Sequence, residues 1–122
     1  MEQQTESDPA LQSFVMPLAK SFGRLQMATA WVAREGMKNP DQAGAAAADY
    51  LRLFALVALG YLWMRMAEIG TKQREGDEAL FYQAKVDTAQ FYFDRILPQT
   101  GALFAAIMSG SDSTMLFNDE AF

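Results

Sequence analysis

The 122-residue chain has no cysteine and no histidine. Disulfides, thiolate metal sites and zinc sites built on imidazole are therefore excluded, as are the common pairings of a nucleophile with a histidine base. The lack of cysteine fits a reducing compartment, and we expect a cytoplasmic protein. Proline occurs only four times, at Pro9, Pro17, Pro40 and Pro98, so long helices are open to most of the chain. The eight glycines include no Gly-rich phosphate loop, and Gly36, Gly44, Gly60 and Gly70 stand alone, each with a turn or packing explanation. The start, Met1 to Asp8, lacks the basic-then-apolar order of a secretion signal.

A net charge is lacking in the middle of the chain. The formal net charge is −5, yet Glu2, Glu6, Asp8, Asp112, Asp119 and Glu120 all lie in the two terminal segments. Between Lys20 and Arg95 the charges nearly cancel and no basic stripe stands out, so nucleic acid is not expected as a partner. The longest uncharged apolar run, Leu53 to Met64, is closed by Arg52 and Arg65. Twelve residues make about 18 Å of helix, short of a bilayer core. It reads as a buried helix, and no membrane is expected.

Half the residues are apolar, enough for one domain with a real core. Three helical patterns fill it. The first opens at Asp8-Pro9, an N-cap followed by proline at the first helical position. Leu11, Val15, Leu18, Phe22, Leu25, Thr29 and Val32 recur on one face. Pro17 predicts a kink near Ser13 to Met16, and Gly36 predicts the end. The second opens at Asn39-Pro40 and is expected to run to about Ile69 before Gly70. The third is expected from Asp77, a possible cap, through Glu78 to Ser109, stopping at Gly110. Its core stripe is Tyr82, Val86, Ala89, Phe93, Ile96, Leu103, Phe104 and Ile107, and its wet stripe is Gln83, Asp87, Gln90 and Asp94. Pro98 predicts a bend. No segment alternates with period two for long enough to be a strand. The fold class is all-α: an antiparallel bundle of three long helices, or four or five if the prolines break them. The expected layout is a disordered acidic segment over 1–8, the bundle over 9–110 and a tail over 111–122.

No complete active site emerges. Asp87 and Asp94 share a polar stripe with two glutamines, which reads as a solvated face, so neither a metal site nor a bound cofactor is expected in this chain. Three surfaces stand out as interface candidates. Arg24 and Trp31 lie opposite the apolar stripe of the first helix, where they are either a solvated face or a docking face. On the second helix the polar side marked by Asp49 and Arg52 turns apolar at Leu56, Leu59 and Trp63. Either this helix is the centre of the bundle, or that face covers a surface lying elsewhere. On the third, Lys85, Tyr92 and Arg95 flank the core stripe, as residues snorkelling at its edge or as a polar contact.

The order of several segments resembles a known family. Ala28-Thr29-Ala30-Trp31, Tyr50-Leu51-Arg52-Leu53-Phe54 and Gly60-Tyr61-Leu62-Trp63 are similar to the extra C-terminal domain of certain bacterial acyl-CoA dehydrogenases. So are Phe81-Tyr82-Gln83-Ala84-Lys85, Thr88 to Tyr92, Arg95 to Pro98, Met115-Leu116 and Glu120-Ala121-Phe122. The resemblance implies a parent enzyme that oxidises an acyl-CoA thioester to the 2,3-enoyl thioester with FAD. In that parent a glutamate takes the α-proton and the β-hydride passes to the flavin. Those groups lie in preceding domains, so no catalytic residue carries over to this chain. The implied partners are the remaining domains of the parent and further copies in a homo-oligomer. A freestanding helical interaction module and, third, an acyl- or lipid-binding bundle remain open as alternatives.

Overall fold

The computed structural model describes residues 9–72, 76 and 78–110. The expected terminal segments, and the expected cap at Asp77, lie outside the described residues. All regular structure among those described is helical, in an all-α bundle. Helix α1 spans Pro9–Lys38, α2 spans Pro40–Lys72, α3 spans Ala79–Phe91 and α4 spans Thr100–Met108. Between α3 and α4 the chain stays helical, but as a wide π turn over Tyr92–Ile96 and a tight 3-10 turn over Leu97–Gln99. These pieces make a single third rod.

The breaks follow the prolines unequally. Pro98 removes an N–H and pushes its ring at the carbonyl one turn back, and the α-helix gives way there into its wider and tighter relatives. Pro17, in contrast, lies within a continuous α1. It is exposed, so the missing N–H falls on the solvent side of the helix. The first boundary also differs from expectation. Gly36 is helical, and a Cβ there would lie 2.9 Å from the Ala43 Cβ; the glycine admits α2 rather than ending α1. Helix α2 starts as expected: the Asn39 side chain accepts from the Asp41 N–H at 3.0 Å. It runs slightly past Gly70, whose missing Cβ instead leaves room for the carbonyl oxygen of Tyr82, 2.9 Å from where that carbon would be. Gly110, with φ +74°, lies just beyond α4, where its freedom in the left-handed region suits a helix stop.

Helices α1 and α2 run antiparallel. Gly36 lies at the height of Ala43, Thr29 at that of Tyr50 and Leu18 at that of Gly60. The third rod packs on one side of this pair. Its middle meets α1 through Thr100, at Ser21 and Arg24, its upper half meets α2 around Gly60 and Gly70, and its lower end at Gly110 lies beside Trp31 and Gln42. Two clusters form the core. One gathers Leu11, Phe14, Leu18, Met64, Ala67, Val86, Ala89, Tyr92, Phe93 and Leu97. The other gathers Leu25, Ala28, Ala46, Leu53, Val57 and Ile107.

Along the third rod the expected stripe holds: Val86, Ala89, Phe93 and Ile107 are buried, and Tyr82, Ile96, Leu103 and Phe104 are half-buried. The wet stripe also holds, as two rungs of side-chain bonds, Gln83 to Asp87 and Gln90 to Asp94, each 2.9 Å. On α1 the expectation is half right. Leu11, Leu18 and Leu25 are buried, but the positions between them are Phe14, Ser21 and Ala28, not Val15, Phe22 and Thr29. The buried line therefore steps by three and four in the heptad order of a close-packed seam. The reading of α2 as buried on every side is also corrected, since Leu51, Phe54, Leu59, Tyr61, Leu62 and Ile69 are 43–67% exposed.

Candidate docking face

Two polar arrangements lie inside the bundle. Where the third rod changes from π to 3-10 to α, Thr100 is fully buried and its hydroxyl donates to the Leu97 carbonyl at 2.8 Å. That leaves the Thr100 oxygen to accept from Ser21 Oγ and Arg24 Nη1, both at 3.2 Å. Gly101 lies beside the same guanidinium, with a would-be Cβ 3.4 Å from Arg24 Nη2. The net effect is a tie between the joint and α1. Farther up, the buried Tyr92 hydroxyl donates to the Leu56 carbonyl. Burial disfavours the charged phenolate and pushes the Tyr92 pKa up to about 12. Both arrangements are satisfied within the chain and leave no reactive group pointing outward.

Among the described residues two buried side-chain oxygens are exceptions to full satisfaction, Thr71 Oγ1 and Glu68 Oε2. Glu68 carries the charge of the two. It is 3% exposed, its Oε2 has no hydrogen-bond partner, and its nearest cation is Arg65 Nη1 at 3.8 Å. No group of three or more acidic, histidine or cysteine side chains among the described residues could hold a metal.

The sequence-derived candidates separate in space. Leu56 and Trp63 are half-buried against the chain's own upper core, beside the buried Tyr92. Leu59 is exposed on the same helix. Trp31 is half-buried against the lower core, with Cζ2 3.5 Å from where a Gly110 Cβ would lie. Arg24 is occupied at Thr100. Lys85 lies over the Phe81 ring at 5.2 Å, and the exposed Arg95 lends its carbonyl to Gln99.

What the structure brings together instead is the side of α1 and α2 that faces away from the third rod. Here an open groove of about 670 Å³ runs between the two helices. Val15 and Phe22 of α1 and Phe54, Ala58, Tyr61 and Leu62 of α2 line it. No charged side chain takes part. Phe22, Leu51, Phe54, Tyr61 and Leu62 are each about half exposed or more. At roughly 100 Å² apiece they offer about 500 Å², near the upper limit for the largest apolar patch on a typical monomer. By length and composition alone α2 also contains a window apolar enough to cross a membrane, and only 22% of that window is buried. Sequence periodicity assigned Val15 and Phe22 to the core because they share three leucines with the true seam. No sequence signal separates the two sides: α1 has no acidic residue before Glu35 and α2 none between Asp49 and Glu68, so acid is missing from both faces alike.

A family model described as acetyl-CoA dehydrogenase C-terminal like matches residues 1–118. No curated protein matches the chain.

Proposed function

Since the chain belongs to the acetyl-CoA dehydrogenase C-terminal-like family, we propose that it is the accessory C-terminal domain of an FAD-dependent acyl-CoA dehydrogenase and that its work is packing and assembly. The parent's dehydrogenation of an acyl-CoA thioester, its flavin and its proton-abstracting carboxylate are assigned to other domains. Within this chain the observation that carries the reading is the uncharged groove on the outer side of α1 and α2. Large apolar side chains on a soluble surface are covered by something in the working assembly. The cytoplasm, where acyl-CoA thioesters are handled in bacteria, is the proposed location.

The test is to express the chain together with the dehydrogenase body encoded beside or in frame with it. The expected result is a stoichiometric complex, or a single polypeptide, whose flavin belongs to the body. The purified domain alone is expected to show no flavin absorbance and no acyl-CoA oxidation with an artificial electron acceptor. Stoichiometric FAD on this chain, or a gene neighbourhood with no dehydrogenase body, would overturn the reading. A freestanding interaction module is the second reading, favoured by the same exposed face. It predicts that the chain forms no complex with a dehydrogenase body when the two are expressed together.

A further inference from the structure

We infer that the groove side of α1 and α2 is a twofold interface on which a second copy of this chain docks, closing an all-antiparallel four-helix core. The helix directions favour this occupant, the charge pattern permits it, and the exposed apolar area approaches what it needs. A stable interface of standard size takes about 800 Å² from each partner. The five large exposed side chains supply about 500 Å² by themselves, and Val15, Ala19 and Ala58 extend the same surface.

The direction argument is stricter. Because α1 and α2 are antiparallel, a twofold axis along the bundle sets α1 of one copy against α2 of the other, at the same heights as within one copy. Every adjacent pair around the resulting square is then antiparallel, an arrangement in which helix dipoles oppose favourably. Phe22 of each copy meets the Phe54–Ala58 stretch of the other.

Charges do not obstruct this seam. The cations near the face are Lys20 on α1, and Arg52 and Arg65 on α2. Lys20 lies at the height of Leu59, about two turns from either arginine of the facing helix, so no like charges meet. No exposed acid intervenes, since Glu68 is buried. The open side thus repeats, between copies, the fit that α1 and α2 already make within one.

This deepens the assembly half of the proposed function, and it can fail while the family-based assignment of a parent dehydrogenase stands. Light scattering on size-exclusion eluate, at about 100 μM and so above the Kd of even a modest interface, is expected to give twice the mass of one chain. Ala58→Glu and Ala19→Lys both alter exposed alanines on the face. Each variant alone is expected to halve the mass with the helical circular dichroism unchanged. Mixed one to one, the two variants are expected to regain the dimer mass, because the new charges face each other across the seam. A monomeric wild type overturns the proposal, as does a dimer that survives both substitutions. Two folded monomers that fail to pair when mixed overturn the twofold arrangement. Loss of helicity in both variants would show the face to be closed within the chain, and would overturn it as well.

Discussion

The two sides of the α1–α2 pair differ in what stands between their large apolar residues. The side facing the third rod has small groups where the rods come closest: Ser21 and Ala28 on α1, and Gly60, Ala67 and Gly70 on α2. At Gly60 a Cβ would already lie 3.1 Å from Leu97 Cδ1 and 3.3 Å from Leu18 Cδ1. The side facing away has Phe22, Leu51, Phe54, Tyr61 and Leu62. Small residues mark a surface that has met its neighbour, because close packing leaves no room for more atoms. Large apolar residues left outside are the surface that the proposed interface would cover. Hydrophobic bulk alone therefore does not separate the open side of this pair from the core side, which holds Phe14, Leu18, Leu53 and Met64 as well.

The sharpest way to test that contrast is one aromatic on each side. Phe14 is fully buried with its ring 4.6 Å from that of Phe93. Phe14→Ala is expected to cost about 3–5 kcal/mol in urea unfolding, the range for emptying a buried aromatic site. Phe54→Ala on the open side should cost the monomer no more than about 0.5 kcal/mol. Equal losses would erase the distinction between the two sides.

Next in size is the close approach of the rods. Alanine normally stabilises a helix relative to glycine by up to about 1 kcal/mol. At Gly70 the added Cβ would meet the Tyr82 carbonyl oxygen at 2.9 Å, and backbone cannot swing aside as a flexible side chain can. Gly70→Ala is therefore expected to destabilise by about 1–3 kcal/mol. A higher melting temperature in this variant would mean that α2 and α3 are not locked there.

Tyr92 sharpens the comparison through pH. The buried phenol keeps its proton up to about 12, whereas the unfolded chain gives it up at its usual pKa near 10. Between those values the folded state holds more protons than the unfolded one, so stability falls as pH rises. The contribution is fully present below pH 10, and the fall reaches about 1.4 kcal/mol per pH unit at its steepest. Tyr92→Phe should cost about 1 kcal/mol near neutral pH, from the lost bond to Leu56, and should make the alkaline fall shallower. An unchanged alkaline profile would show that Tyr92 is not the group responsible.

The smallest effect belongs to Asp87, whose carboxylate accepts from Gln83 on the solvated face. Asp87→Ala is expected to stay within about 0.5 kcal/mol in the same urea titrations. A larger loss would mean that this face too has a hidden partner.

The third rod was the most legible part of the chain, because its apolar and polar stripes differ in every residue. Val86, Ala89 and Phe93 on one side and Gln83, Asp87 and Gln90 on the other leave a single phase open. On α1 two lines of threes and fours share Leu11, Leu18 and Leu25, and the bulkier line, through Val15 and Phe22, is the one that faces outward. Hydrophobicity alone ranks Phe22 above Ser21. Only the approach of Thr100, remote in sequence, puts the serine inside. On α2 the uncharged run signalled that something unusual happens after Arg52, but one helix cannot reveal where its neighbours stand. Leu56 and Trp63 turned toward the third rod, whereas Phe54, Ala58 and Leu62 turned away. The family resemblance was legible in residues spread along the chain. The groove was not, since it exists only once two helices are side by side.

The joint at Pro98 does more than relieve a clash. A π turn advances each residue by less than the usual angle around the axis, and a 3-10 turn by more. Placed back to back over Tyr92–Ile96 and Leu97–Gln99, one lags and the other leads. Their rotations largely cancel, so Ile107 of α4 stays on the buried side of the rod with Val86 and Ala89 of α3 although the segment between them is irregular. The segment behaves like a pair of opposed gears. Changing the length of either half by one residue would spin α4 about its own axis, carry Ile107 off the lower core and pull Thr100 away from Ser21 and Arg24.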